Sequence, residues 1–152
     1  MVNLWKRPMK GSLGTTFLIL SLSLTVGCSD PLTPESIAGT YRASTFALSG
    51  GATEDVLAVG GSLTITFSAG GTTSGTLFVP AASAASGGMD FTADMAGTFT
   101  LENDSITLTQ AADSFVRDLA WIYDGGLING TGTFSGVTIT VVLSPSPIFV
   151  LL

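Results

Sequence analysis

From Ile37 onward apolar and polar residues alternate with a period of two, and that pattern commits the chain to β-structure. Leu63, Ile65 and Phe67 alternate with Thr64, Thr66 and Ser68. Phe99 and Leu101 alternate with Thr98 and Thr100, and Ile106 and Leu108 with Thr107 and Thr109. Leu119, Trp121 and Tyr123 share one face, as do Val137, Ile139, Val141 and Leu143. Side chains this rich in β-branched and aromatic types fit half-buried antiparallel strands. The spacing predicts strands over 38–47, 62–68, 73–79, 95–101, 105–110, 115–123, 127–134 and 137–143. Ala69-Gly70-Gly71, Glu102-Asn103-Asp104, Asp124-Gly125-Gly126 and Ser135-Gly136 separate successive runs with residues that accept the positive φ of hairpin turns. Eight short strands in such an up-and-down meander leave two raw edges unless the sheet closes. The expected fold is therefore all-β, an antiparallel eight-stranded meander closing into a small barrel.

Two stretches interrupt the meander. Within 49–61, Thr53-Glu54-Asp55-Val56-Leu57 carries a cap residue and acids, which predicts one helical turn. Pro80 to Gly88 (PAASAASGG) is low in complexity and reads as a loop at one barrel end. Beyond 37–143, the tail 144–152 opens with Ser144-Pro145-Ser146-Pro147, expected to break the last strand because proline donates no ladder hydrogen bond. Its apolar end, Ile148 to Leu152, has either a hydrophobic patch or a membrane to contact.

The first 27 residues read as an export signal. Lys6, Arg7 and Lys10 form a positive segment, and Phe17 to Leu24 an apolar core too short for the roughly 20 residues of a membrane span. The run Leu24-Thr25-Val26-Gly27-Cys28 resembles the lipobox of bacterial lipoproteins. That resemblance implies cleavage between Gly27 and Cys28, diacylglycerol on the Cys28 sulfur, and a membrane partner reached through the lipid. Ser29, and not aspartate, follows the cysteine, which within that family implies the outer membrane, facing the periplasm. Cys28 is the one cysteine of the chain, so no internal disulfide can form, and lipidation gives it a role. Residues 28–36 (CSDPLTPES) then read as a short polar tether.

The strand pattern carries a second resemblance. Ile37-Ala38-Gly39-Thr40-Tyr41 opens the first strand, Leu63–Val79 forms a hairpin around Gly70-Gly71, and Asn129–Leu143 forms a closing hairpin. Over Ile37 to Leu143 the arrangement resembles a lipocalin-like (calycin-type) domain. Lipocalins carry Gly-any-Trp in the first strand; here Tyr41 stands where that tryptophan would be, and no basic residue occurs in Val137–Leu143.

Charge and residue inventory exclude most chemistry. Beyond residue 28 the cations are Arg42 and Arg117, against eleven acids in the whole chain, so no basic face exists for nucleic acid. The chain has no histidine, and from residue 28 onward no lysine, which removes Ser-His-Asp, Cys-His and Schiff-base mechanisms. The usual imidazole and thiolate ligands of zinc, haem and copper are missing too, and no cofactor or metal is expected. The acid pairs Asp113/Asp118 and Glu54-Asp55 read as solvated surface charges, and Glu102-Asn103-Asp104 as a β-turn. No enzyme is expected.

Arg117 shares the alternation face of Trp121 and Tyr123. It is either a buried cation that would meet an anionic ligand head, or a rim residue paired with Asp113 or Asp118. Tyr41, Phe67, Phe99, Trp121 and Tyr123 are likewise either ligand contacts or core filling, since an eight-stranded barrel is wide enough for either. Two functional expectations follow. One is a membrane-anchored lipoprotein whose barrel holds a small apolar or amphipathic molecule, with the 49–61 and 80–90 loops around its mouth. The other is a structural or protein-interaction lipoprotein with a filled barrel.

Overall fold

A computed structural model describes residues 31–50 and 53–147. In chain order the elements are β1 (Gly39–Ser49), β2 (Glu54–Asp55), β3 (Ser62–Phe67), β4 (Thr72–Val79), a 3-10 turn (Ala84–Ser86), β5 (Phe91–Asp94), β6 (Gly97–Glu102), β7 (Ser105–Gln110), α1 (Phe115–Asp118), β8 (Ala120–Asp124), β9 (Leu127–Phe134) and β10 (Val137–Pro145). Strands β1, β3, β4, β6, β7, β8, β9 and β10 pair antiparallel in that order, and β10 returns to β1. The meander thus closes into an eight-stranded barrel, with β2 and β5 as short additions on β1 and β4. Closure removes the edges that such a sheet would otherwise expose.

The alternation decides what points inward. One inward row crosses five neighbouring strands in register, Ile106, Trp121, Gly130, Val141 and Phe46. The indole needs the missing side chain: a Cβ at Gly130 would stand 2.5 Å from Cε3 and Cζ3 of Trp121. Lower in the barrel Phe67 lies edge-on to both Tyr41 (centroids 5.7 Å apart) and Phe99 (5.1 Å), the geometry that aromatic quadrupoles favour. Phe46, Ile65, Leu77, Val79 and Met95 are fully buried, and the lumen is packed with side chains. The outward rows carry threonine instead. Thr98 faces Thr109, Thr100 faces Thr107, Thr131 faces Thr140 and Thr133 faces Thr138. Cross-strand threonine pairs suit a wetted sheet face and not the apolar band of a membrane-spanning barrel.

Four local expectations are corrected. The sequence predicts one strand over 115–123, but 115–118 forms the single helical turn α1 before β8. Phe115, Val116 and Leu119 all face the protein, at helical and not alternating spacing. The turn fills a gap that β7 and β8, paired only at Ser105–Ile122 and Ile106–Trp121, leave between them, and Trp121 Nε1–H donates to Val116 O at 2.8 Å. The helical turn expected at 53–57 is instead β2, whose Glu54 and Asp55 pair with Leu48 and Ala47; Asp55 Oδ1 then accepts from Leu57 N–H at 3.0 Å to turn the chain. The strand expected at 95–101 is β6, starting at Gly97, and it is preceded by an unexpected strand, β5; the two share β4 on either side of a kink at Met95. There Met95 N–H donates to Gly75 O, and Thr73 Oγ1 donates to Met95 O at 2.7 Å. Finally, β10 continues past Leu143 to Pro145, opposite Tyr41, with Ser146 N–H donating to Thr40 O at 2.7 Å. Proline is tolerated there because it sits at the strand's last position.

The two barrel ends differ. The start of β1, the end of β10 and the turns at 68–71, 103–104 and 125–126 form one end. The end of β1, β2, the 80–90 segment, α1 and the 134–137 turn form the other. The eleven residues of β1 separate them by about 35 Å of extended chain.

Candidate functional site

The far end holds an apolar cleft of about 300 Å³. Its walls are Leu48 and Gly50 from the end of β1, Phe134, Val137 and Ile139 from the β9–β10 hairpin, Phe115 from α1, and Ala84 and Ala85 from the 3-10 turn. Each element reaches the cleft for a local reason. Ser135 (φ 50°) and Gly136 (φ 84°) both take the left-handed conformation of a tight hairpin, which sets Phe134 directly opposite Val137. A bulge between Ala43 and Thr45 turns the upper half of β1, and Ser44 fixes it by donating to Val142 O and accepting from Ser144 Oγ at 2.8 Å. Phe115 leans on Phe46 with ring centroids 5.8 Å apart.

The wall formed by residues 81–90 is tied down by side chains. Ser83 is buried and caps the 3-10 turn by accepting from Ala85 N–H, and Ser86 Oγ donates to Ser83 O at 2.8 Å. Asp90 Oδ1 accepts from Ala81 N–H at 2.7 Å. Glu54 Oε2, from β2, accepts from Ala84 N–H at 2.8 Å. The other oxygen, Glu54 Oε1, is sealed from solvent and has no hydrogen-bond partner. Glu54 is therefore not the solvated surface charge that its sequence position suggests. Asp113 is one, with a side chain 95% exposed.

The candidate ligand residues occupy other places. Tyr41, Phe67, Phe99 and Trp121 are all buried in the packed lumen, and Tyr123 is half-buried against it. Burial, and secondarily Tyr123, raise the Tyr41 phenol above its ordinary value of 10.0. None of the five lines the cleft. Arg117 lies at the rim, with Nη2 2.9 Å from Asp113 Oδ1 and Nε 3.0 Å from Asp118 Oδ1. Hydrogen bonds, first to Asp118 and then to Asp113, raise the guanidinium further, and the same bond from Arg117 lowers the Asp118 carboxyl. Cys28, Gly27 and the export segment lie outside the described residues. Among those described, no group of three or more His, Cys, Asp or Glu stands together as a metal site, and no helix is long and apolar enough to cross a membrane.

Sequence reasoning placed the loops of the mouth but missed Phe115, Phe134 and Ile139 as members of one site. The signal available was the pair of interruptions in the meander, at 49–61 and 80–90, which supply Gly50, Ala84 and Ala85 to the cleft. Fold and cleft together define a small closed eight-stranded antiparallel barrel, compatible with a lipocalin-like fold, with a filled lumen and an apolar cleft at one end. No family model, curated protein or solved structure matches the chain.

Proposed function

We propose that the chain is an envelope lipoprotein, held by lipid on Cys28, whose lipocalin-like barrel binds a small apolar or amphipathic molecule at its end cleft and not in its lumen. The observation that carries this reading is the cleft itself, about 300 Å³, walled by Leu48, Phe115, Phe134 and Ile139. Concave apolar sites of this size suit small molecules. The binding module is not catalytic, because the inventory of nucleophiles and bases is too poor. The tether precedes β1 at the opposite end, so lipid on Cys28 in the outer membrane would leave the cleft facing away from that bilayer, into the periplasm. Two or more acyl chains on the amino-terminal cysteine make such anchoring stable.

Native mass spectrometry of the chain extracted from its own membranes tests the reading. A bound small molecule is expected, and Ala85→Trp, which fills the cleft from an exposed wall position, should remove it. An empty barrel from native membranes would contradict it. Cys28→Ala should abolish partition into the detergent phase; unchanged partition would contradict the anchor. A second reading, a structural or protein-interaction lipoprotein, is favoured by one observation. Val59, Met89 and Phe91 are exposed at the same end as the cleft, with Met89 74% accessible, and would suit a protein partner.

A further inference from the structure

We infer that Ile148-Phe149-Val150-Leu151-Leu152 is a second membrane contact, setting its side chains into the headgroup–acyl boundary of a neutral phospholipid surface and holding the tether end of the barrel against it. The inference rests on the lipid anchor proposed above. These five residues lie outside the described ones, but the place where they start is described. Pro145 stands opposite Tyr41, and Ser146 N–H donates to Thr40 O at 2.7 Å. One step further in that register, Pro147 is level with Gly39, the first residue of β1. The chain after Pro147 therefore starts at the barrel end where residues 31–38 enter. Leu32, in the tether, packs against the core. Four residue steps separate it from Cys28, at most about 14 Å of chain, and five steps from Pro147 to Leu152 reach about 17 Å. Lipid on Cys28 thus brings a bilayer within range of 148–152.

Five large apolar side chains gain by leaving water, and the described part of the protein gives them little to cover. Ile37 is fully buried and already fills that end of the barrel. The recess beside the exit, about 470 Å³, has Gly39, Thr40, Tyr41, Ser146 and Pro147 on its walls, and no Val, Leu, Ile or Phe. Among the described residues, Leu127 is the one exposed large hydrophobic beside the turns of that end. A bilayer accommodates all five. They are too few to cross it, since a helical span needs roughly 20 residues, and their peptide groups would go unpaired in hydrocarbon. The contact is therefore shallow, at the interface. Glu35, Glu102, Asp104 and Asp124 are exposed at that end, against Arg42 alone. An anionic surface would repel them, so the lipid is neutral.

With Cys28 blocked by lipid, Leu151→Cys supplies the sole free thiol for a nitrobenzoxadiazole fluorophore. The chain matured in its own cells is labelled there and reconstituted into phosphatidylcholine vesicles. The label should lose most of its fluorescence to nitroxides on the upper acyl chains and little to aqueous iodide. A label on Met89→Cys, exposed at the opposite end, should show the reverse. Changing Ile148→Ser, Phe149→Ser, Val150→Ser and Leu152→Ser together should return the label at 151 to iodide; a label still quenched from the lipid has inserted by itself and overturns the inference. Admixed phosphatidylglycerol should reduce the nitroxide quenching, and equal or greater quenching overturns the inference. Full iodide quenching at 151 on a chain that stays with the vesicles overturns it and leaves the anchor standing. Shielding from both quenchers places the segment against protein and overturns it too. A chain that does not stay with the vesicles overturns the inference together with the anchor.

Discussion

Single residues carry opposite weights in this barrel according to which face of the strand they occupy. Gly130 is the clearest case, because its missing side chain is the slot into which the Trp121 indole fits. Gly130→Ala should destabilise by about 1–3 kcal/mol, the usual cost of overpacking, read from urea midpoints. Ser135 bears the left-handed conformation of the β9–β10 turn without being glycine. Ser135→Asn, better suited to that conformation, should stabilise by about 0.5 kcal/mol on the same measurement. Tyr41 gives a pH dependence. Its phenol is raised above the ordinary value of 10.0, chiefly by burial, so the folded state keeps a proton that the unfolded chain loses first. The associated stability is fully present below about pH 10 and is lost as pH rises through the folded value. Tyr41→Phe should leave neutral stability unchanged and flatten that alkaline decline. Arg117 should matter little: its pairs with Asp113 and Asp118 are open to water and screened, and Arg117→Gln should not move the urea midpoint.

At the scale of elements, the eight strands of the circuit were legible because each writes its own burial into its own sequence. The threonines alternating with Leu63, Phe99, Ile106 and Ile139 along their strands gave both the strands and their outward faces. The elements that were not legible owe their form to distant partners. Glu54-Asp55 is extended because the end of β1 is there to pair with it. Residues 115–118 coil because β7 and β8 leave a gap that one helical turn fills. The kink at Met95 depends on Gly75, where a Cβ would run into the backbone of Thr64 on β3. The same thin seams should govern local opening. Two register pairs join β4 to β6 and two join β7 to β8, whereas eight join β1 to β10. Hydrogen exchange should therefore be fastest along β6 and β8 where they lack partners, and slowest along β1 and β10. Uniform protection around the barrel would contradict this ordering.

For the molecule as a whole, a filled lumen moves any binding to the barrel's end. The aromatic residues that suggested a ligand in the sequence instead form the core, since alternation identifies an inward face without telling whether that face is full. The cleft escaped the sequence because four separate segments contribute one, two or three ordinary residues each, and nothing in Leu48, Ala85 or Phe134 marks them as neighbours. Chemical-shift mapping of the isotopically labelled chain, titrated with a small apolar amphiphile such as octan-1-ol, separates the two locations directly. The amides of Leu48, Ala85, Phe134 and Ile139 are expected to shift together and saturably, while those of Phe67 and Phe99 stay still. Shifts centred on Phe67 and Phe99, or no saturable shift at either place, would contradict an end-cleft binding site on a filled barrel.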